Sequence, residues 1–158
     1  MFSLYIHKHM NNIKVFENDL PDDLDLSNEK FIGLDNEALG LVLGRDPLTL
    51  VQLGLESKNF YLVKVNRETF KAPNLVKVLS NSNIQFIMHY ARQDLLWLKY
   101  HLKVQPKNIF CTKVASKIAR TASSFHGYKD LVKELCGKDI SKKEQQSDWG
   151  NPNLSEKQ

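Results

Sequence analysis

The chain has 158 residues, 42% hydrophobic and 25% charged, which suits one globular domain with an ordinary core. No apolar stretch approaches the roughly 18 residues of a membrane span, and the N-terminus is too polar for a signal peptide, so we expect a cytoplasmic protein without a membrane partner. The net charge is +4, but the charges are unevenly distributed. Residues 1–46 hold 9 acidic and 4 basic side chains, whereas residues 47–158 hold 18 basic and 9 acidic ones. The basic part suits either a nucleic-acid partner or an ordinary lysine-rich surface.

The first predicted elements follow a polar, turn-rich segment over residues 18–30. Turn-forming residues separate three short segments rich in apolar and β-branched side chains, which predicts an antiparallel meander over 30–36, 47–55 and 59–65. The stretch "ETFKAPNLVKVLSNS" predicts a helix within residues 70–80, with Pro73 near its start.

The second half of the chain alternates strands and helices. Its apolar spacing predicts strands over 84–90 and 108–112 and helices over 92–103, 113–120 and 127–136, the last stopped by Gly137. We therefore predict an α/β domain with a mixed sheet, an antiparallel three-stranded start followed by parallel strands, and helices on both faces. This order resembles the ribonuclease H-like arrangement, which is common among enzymes that cut phosphodiesters, although a fold alone does not establish function.

The two cysteines do not form a recognisable metal or redox motif. Cys111 and Cys136 belong to no C-x-x-C pair, and no histidine stands at zinc-finger spacing from them. We expect two reduced, packed thiols, as in cytoplasmic proteins.

Three acidic residues are candidates for metal chemistry. Asp35 and Glu37 stand at positions i and i+2 of a predicted strand, so both carboxylates face one side, where Mg²⁺ or Mn²⁺ could bind between oxygen ligands. Asp94 lies in the first turn of a predicted helix that directly follows a strand. Each motif alone has a simpler explanation. Asp35 and Glu37 are also typical of a surface loop. Asp94 is also typical of an acid that stabilises the N-terminus of a helix.

Five segments together resemble the ribonuclease D-like branch of the DEDD 3′–5′ exonucleases. In the family's order they are "DNEALGL" (35–41), "VQL" (51–53), "HYARQDL" (89–95), "HGYKDLV" (126–132) and "SDWGNPNLSEKQ" (147–158). The resemblance runs from about residue 13 to the last residue. Gly40 and Gly44 are not followed by G-K-[ST], and no G-x-S-x-G motif indicates a serine hydrolase.

The resemblance implies that Asp35, Glu37 and Asp94 are the catalytic carboxylates and the ligands of a two-metal site for Mg²⁺ or Mn²⁺. The resemblance does not decide whether a second metal ion binds. The implied substrate is the 3′ end of a single-stranded nucleic acid, with RNA favoured.

The resemblance also implies contacts to the terminal nucleotide. They are assigned to Ala38, Leu39, Gly40 and Leu41. Leu41 matches an apolar residue that packs against the last base, whereas Ala38 replaces a threonine positioned for the terminal ribose. Asn36 also replaces a threonine, on the opposite strand face, and we expect this change to matter less. His89 either orients the second motif or the substrate, or is a buried, hydrogen-bonded histidine.

A basic stripe offers phosphate contacts. It consists of Lys113, Lys117 and Arg120, with Lys142 and Lys143. Solvated charges on a helix face explain the same pattern.

The ends of the sequence depart from the family's pattern. The resemblance implies a domain over residues 13–158, with 1–12 as an N-terminal extension; because Met10 is an alternative start, translation of the residues before it stays open. In the family a Y-x-x-x-D motif follows "SDW…LS..Q"; its tyrosine aligns the attacking water and its aspartate completes four carboxylates. This sequence ends at Gln158 before that motif, and "NPNL" replaces the usual R-P-L. We therefore expect the last helix to be missing.

The expected function is metal-dependent 3′–5′ exonucleolytic hydrolysis in RNA processing, weakened by the truncation. Two alternatives remain at this point. The chain is a non-catalytic nucleic-acid-binding remnant, or it is a fragment of a split gene that needs a complementing C-terminal fragment. Self-association is a further expectation, because a missing last helix would leave an apolar strip of the sheet uncovered.

Overall fold

A six-stranded mixed sheet forms the centre of the protein. The structure, a computed structural model, describes residues 12–141 together with residues 147, 149 and 151. The strands are β1 (Ile13–Glu17), β2 (Phe31–Ala38), β3 (Leu48–Leu55), β4 (Phe60–Lys64), β5 (Gln85–Met88) and β6 (Ile109–Cys111). Their spatial order is β1-β4-β3-β2-β5-β6.

The strand directions confirm the predicted mixed sheet. β2, β3 and β4 form the antiparallel meander, while β5 is parallel to β2 and β6 is parallel to β5. β1, which lies parallel to β4 at the sheet edge, was not predicted from the sequence. Its five residues, IKVFE, are mostly exposed or half-buried, so their sequence carries little of the apolar signal of a core strand.

Four helices complete the described fold. They are α1 (Pro73–Leu79), α2 (Arg92–Trp97), which continues as a π-helical turn (Leu98–Leu102), α3 (Thr112–Ala119) and α4 (Tyr128–Cys136). Pro73 occupies the first turn of α1, where its missing N–H costs no hydrogen bond. Gly137 ends α4 in the left-handed conformation, with φ of 65°. Within the described residues, none of these helices has the length and apolar character that crossing a membrane requires.

The core fixes β2 in the middle of the sheet. Ile32 and Leu34 of β2 are fully buried with Leu53 of β3 and Phe86 of β5. Burying each such side chain contributes roughly 1.5–3 kcal/mol relative to exposure. Because side chains alternate along a strand, this packing fixes the face on which every other β2 side chain lies.

The cysteine prediction is confirmed in one part and wrong in the other. Both thiols are free, as expected. Cys111 is half-buried, whereas Cys136 is exposed, because it lies in the last turn of α4 on the side that faces solvent.

Candidate active site

The carboxyl end of β2 carries the first two acids. Asp35 pairs with Gln52 of β3 and Glu37 pairs with Leu50. A bulge between Glu37 and Ala38 ends the regular pairing. Gln52 Nε2 lies 3.5 Å from Glu37 Oε1, and the Thr49 hydroxyl donates to the Glu37 carbonyl oxygen at 3.0 Å. β3 therefore holds the position of Glu37 through both backbone and side chain.

Asp94 comes to the same place from α2. Its side chain is buried, 8% exposed, and its carboxyl group lies close enough to that of Asp35 for the two to interact directly. The Asn36 amide donates to the Asp94 backbone carbonyl at 3.1 Å and ties α2 to β2. This side chain joins the two elements that carry the acids, and the expectation that its replacement of threonine matters less than that at Ala38 stays a prediction.

Burial and mutual repulsion make these acids hard to ionise. Burial, together with the charge of Asp35, raises the pKa of Glu37 to about 7. The same two causes raise the pKa of Asp94 to about 8. Both groups would gain from a nearby cation, since a cation would offset the repulsion between the three carboxylates.

The donor set fits a hard divalent cation. Carboxylate oxygens are the ligands that Mg²⁺ and Mn²⁺ prefer. Within the described residues, no three acidic, histidine or cysteine side chains are close enough to enclose one ion by themselves. Mg²⁺ does not need such a cage, because it usually binds one or two carboxylates plus waters and substrate phosphates.

A cavity of about 380 Å³ opens beside the acids. Its lining includes the predicted site residues Glu37, Ala38, Leu39, Gly40, Leu41 and Asp94. The further lining residues are Asn36, Gln93, Trp97, Ser147 and Trp149. Two acids and the segment expected to contact the terminal nucleotide therefore share one cavity.

The two tryptophans were not predicted as site residues. Trp97 is 3% exposed and stands one helical turn after Asp94 on α2, while Trp149 belongs to the "SDW" segment. Among the described residues, neither indole N–H has a hydrogen-bond acceptor. A buried N–H without a partner is unfavourable, so these two donors stand out beside the cavity that the tryptophans line. The spacing from Asp94 to Trp97 could have indicated the first of them.

The loop after β2, residues 39–46, is held by Asp46. This carboxylate accepts hydrogen bonds from the Val42 backbone N–H at 2.8 Å and from Arg45 at 2.6 and 2.7 Å. The Arg45 pair and the backbone donors lower the pKa of Asp46 to about 2. A Cβ on Gly40 would overlap the Asp46 carboxylate, so a larger residue here would have to displace that carboxylate. The loop presents Leu41, which is 82% exposed.

His89 and Tyr128 border the acids on the side of β5. The Thr112 hydroxyl donates to the Met88 carbonyl at 3.2 Å and pairs with His89 Nδ1 at 2.9 Å, so Nδ1 donates and Nε2 is left as the acceptor nitrogen. Burial and nearby Lys113 lower the pKa of His89, opposed by Asp35. The Tyr128 ring packs edge-on against His89, with centroids 5.5 Å apart. Burial and the charge of Asp35 raise the pKa of Tyr128, which the sequence analysis did not single out.

The basic stripe is only partly a free surface. Lys117 is exposed, and Lys113 is half-buried with its ammonium over the Tyr90 ring. The Arg120 guanidinium is occupied by Glu134, the Ser116 hydroxyl and the Phe125 carbonyl, so it joins α3 to α4. The predicted phosphate contact of Arg120 thus competes with internal partners. Lys142 and Lys143 lie outside the described residues.

Comparison with known proteins identifies the family. A family model described as "3'-5' exonuclease" matches residues 16–158. The chain belongs to the 3′–5′ exonuclease family. The resemblance to ribonuclease D-like DEDD exonucleases is thereby confirmed, and so is the ribonuclease H-like fold.

Among curated proteins, the chain is similar to Ribonuclease D from Xanthomonas oryzae. The two are 31% identical over 140 residues, which is 89% of this chain and 38% of the relative. The chain spans about a third of the length of the Ribonuclease D relatives it matches.

Two solved structures extend the comparison. Brucella melitensis NrnC bound to pGG is 39% identical, with a TM-score of 0.84 over 91% of this chain and 69% of that one. A second NrnC structure, described as having bound Mg²⁺, is 38% identical with a TM-score of 0.83 and the same coverage. Escherichia coli RNase D is 20% identical with a TM-score of 0.75, over 91% of this chain and 38% of that one, and shares the fold.

Proposed function

We propose that this domain removes nucleotides from the 3′ end of single-stranded nucleic acid by metal-dependent hydrolysis, with RNA as the favoured substrate. The observation that carries the proposal is the shared cavity, in which Glu37 and Asp94 lie against the segment 38–41. Acids with raised pKa values that share a cleft are typical of functional sites, and the family provides a reaction that uses them.

The carboxylates of Asp35, Glu37 and Asp94 would hold Mg²⁺ or Mn²⁺. A bound divalent cation supplies charge stabilisation for the phosphodiester and makes a water more acidic, and a pair of ions can do so for both the attacking and the leaving oxygen. NrnC with bound Mg²⁺ supports the choice of ion. The use of Mn²⁺ and of a second ion belongs to the proposal.

The cavity would take the terminal nucleotide. Leu41 offers an exposed apolar surface to the last base at the tip of the loop that Asp46 holds. Ala38 has no hydroxyl for the ribose, but Trp97 lines the same cavity and its buried N–H has no acceptor among the described residues. We propose that this donor contributes to holding the terminal nucleotide.

His89 is proposed to orient the site rather than to ionise. The Thr112 hydroxyl fixes its ring, and Nε2 remains as the acceptor nitrogen. The pKa of His89 is lowered, which keeps the ring neutral near pH 7. A neutral ring beside Asp35 adds no cation that would compete with the metal.

Short oligonucleotides are a second candidate substrate class. NrnC, the relative at 39% identity, was solved with pGG bound. A preference for such short ligands would narrow the substrate without changing the reaction. The two free cysteines favour the cytoplasm, where thiols stay reduced.

The test is hydrolysis of matched RNA and DNA oligonucleotides that carry a 5′ label, in Mg²⁺, Mn²⁺ or chelator, with pGG as a separate substrate. Stepwise shortening that needs metal and is lost in Asp35→Asn is the expected result. Glu56→Gln removes an exposed acid remote from the cavity and serves as the matched control. Tight binding without any shortening in saturating Mn²⁺ would instead favour the non-catalytic remnant. The expectation of weak activity in this chain stays a prediction that the same assay measures.

A further inference from the structure

Tyr90 and Lys113 lie together beyond the carboxyl ends of two neighbouring parallel strands. Met88 of β5 pairs with Cys111 of β6, and Tyr90 and Lys113 follow each partner by two residues. Ligands of open α/β sheets bind in the crevice beyond the carboxyl ends of the strands. With strands about 4.8 Å apart, β6 lies roughly 10 Å from β2, a distance that the next nucleotide or two of an extended strand can cover.

Fold stability does not account for this pair. The Tyr90 side chain is 51% exposed, and its backbone has φ of 62°, a left-handed conformation that is unfavourable for a residue with a side chain. Lys113 lies in the first turn of α3, the end of a helix at which a cation is disfavoured. Its Nζ stands 4.0 Å from the centroid of the Tyr90 ring. An exposed aromatic ring and a positive charge thus lie together even though the backbone of the one and the helix position of the other are unfavourable.

The charges of Lys113 and Asp35 both act on the same side chain, His89. Lys113 lies close enough to His89 to help lower its pKa, and Asp35 acts on the same ring in the opposite direction. Asp35 and Lys113 are therefore both close enough to His89 to interact with its ring. A strand whose scissile phosphate lay at the carboxylates could continue past His89 towards Lys113, away from the cavity that holds Leu41.

Backbone donors add to the positive character of this place. The N–H groups of Tyr90, Ala91, Lys113 and Val114 all approach the Cys111 thiol, and together they lower its pKa despite partial burial. Groups that stabilise a thiolate also favour a phosphate oxygen nearby.

We propose that Tyr90 and Lys113 form a second nucleotide subsite, which binds the nucleotide that precedes the terminal one. The base stacks on the Tyr90 ring, and Lys113 moves from the ring to pair with the phosphate on the 5′ side of that nucleotide. Stacking on one aromatic ring tolerates every base, so this subsite selects for substrate length and not for sequence. The inference rests on the proposed exonuclease function and names how the same site holds its substrate.

The experiment compares substrates that do and do not reach the subsite. The p-nitrophenyl ester of thymidine 5′-monophosphate offers a terminal nucleotide only, whereas 5′-labelled oligonucleotides of two to ten residues also offer the preceding ones. Tyr90→Ala should lower kcat/KM for the oligonucleotides about tenfold and leave that for the ester nearly unchanged, and Tyr90→Phe should restore it. Lys113→Gln should reduce the slope of log affinity against log salt by about 0.7, the share of one phosphate contact on a single strand.

Tyr100→Ala is the matched control, because Tyr100 is also an exposed tyrosine under a lysine, with Lys103 Nζ 5.2 Å from its ring centroid. It should leave the ratio of oligonucleotide to ester hydrolysis as in the unmodified protein. The subsite would be contradicted if Tyr90→Ala lowered kcat/KM equally for the oligonucleotides and the ester. It would also be contradicted if Tyr100→Ala lowered the ratio of oligonucleotide to ester hydrolysis as much as Tyr90→Ala does.

Binding separates this proposal from the exonuclease assignment. Anisotropy of a fluorescent oligoadenylate is measured in Ca²⁺, so that no turnover is needed. An unmodified protein that hydrolyses nothing, yet binds the oligonucleotide and loses about tenfold in affinity on Tyr90→Ala, would contradict the enzyme and support the subsite. Unchanged binding and unchanged hydrolysis in Tyr90→Ala would contradict the subsite and leave the enzyme standing.

Discussion

Asp46 and the pair of Glu37 and Asp94 are all buried acids, yet their pKa values shift in opposite directions. Asp46 is buried, but it is surrounded by Arg45 and backbone N–H donors, which lower its pKa to about 2. Glu37 and Asp94 are buried next to another carboxylate, and their pKa values rise to about 7 and 8. Asp46 is satisfied by the protein itself and orders a loop. Glu37 and Asp94 stay harder to ionise than ordinary acids, and a bound cation would favour their charged forms.

We propose that this difference in surroundings separates an acid that orders a loop from acids that bind a metal ion. A buried charge that is fully hydrogen-bonded stabilises the native state above its pKa, whereas repelling buried acids destabilise it once they ionise.

Replacing Asp94 should have the largest effect on activity. Asp94→Asn keeps the shape and removes one of the charges that would hold the metal, so we expect hydrolysis of a labelled RNA to fall by about 10²–10⁴-fold. The thermal midpoint at pH 8 should stay the same or rise, because a repelling charge is gone. Glu56→Gln is the control. Loss of folding in Asp94→Asn would mean that this acid is structural, like Asp46.

Without metal, stability should fall as pH rises. The folded-state pKa values of Glu37 and Asp94 lie above their unfolded values, so the native state binds more protons and the free energy of unfolding decreases from about pH 4 to pH 8. Mg²⁺ should raise the midpoint by several degrees at pH 8 and hardly at pH 5. Thermal unfolding across this range, with and without Mg²⁺, checks the sign. A thermal midpoint that rises from pH 5 to pH 8 in the presence of chelator would contradict the raised pKa values of Glu37 and Asp94.

Asp46→Asn should disturb binding more than chemistry. We expect KM for an oligonucleotide to rise several-fold with kcat nearly unchanged, because the loop that presents Leu41 loses its charged partner. The stability that Asp46 contributes is present above pH 4 and is lost as pH falls towards 2, since its folded pKa is depressed. Gly40→Ala should reproduce the KM effect by pushing on the same carboxylate. A fall in kcat alone would contradict this assignment.

Trp97→Phe should give the smallest effect. It keeps the ring in the cavity wall and removes the buried N–H, so substrate affinity should drop by a few-fold, about the 1 kcal/mol of one hydrogen bond. Affinity for the reaction product, a nucleoside 5′-monophosphate, measured by calorimetry reports on it directly. Tighter binding in the variant would mean that the N–H is merely tolerated.

The sequence predicted what alternation and local spacing control. The strand alternation of Asp35 and Glu37 and the strand–helix step before Asp94 are local, so both appeared in the sequence, as did the stop at Gly137. The contact from Asn36 to Asp94 joins residues 58 positions apart, and only tertiary packing creates it. The same holds for Tyr128, which reaches His89 from another helix.

Other features could not be predicted because their sequences are typical of a different structure or role. Residues 13–17 are too polar to read as a strand, since β1 is an edge strand that pairs on one side only. Asp46 reads as an ordinary turn acid beside Pro47, and its burial follows from the closure of the loop around it. Gln52 stood within the "VQL" segment, but its contact with Glu37 depends on the register of β2 and β3.

We propose that Glu37 and Asp94 hold a proton until a bound cation replaces it. Titration calorimetry of Mn²⁺ at pH 6.5, in buffers of different ionisation enthalpy, measures the protons released on binding. We expect about one proton or more per protein, because both pKa values lie above this pH, and we expect the release to disappear in the Glu37→Gln, Asp94→Asn double variant. Mn²⁺ binding without proton release, or equally tight binding in that variant, would contradict the claim.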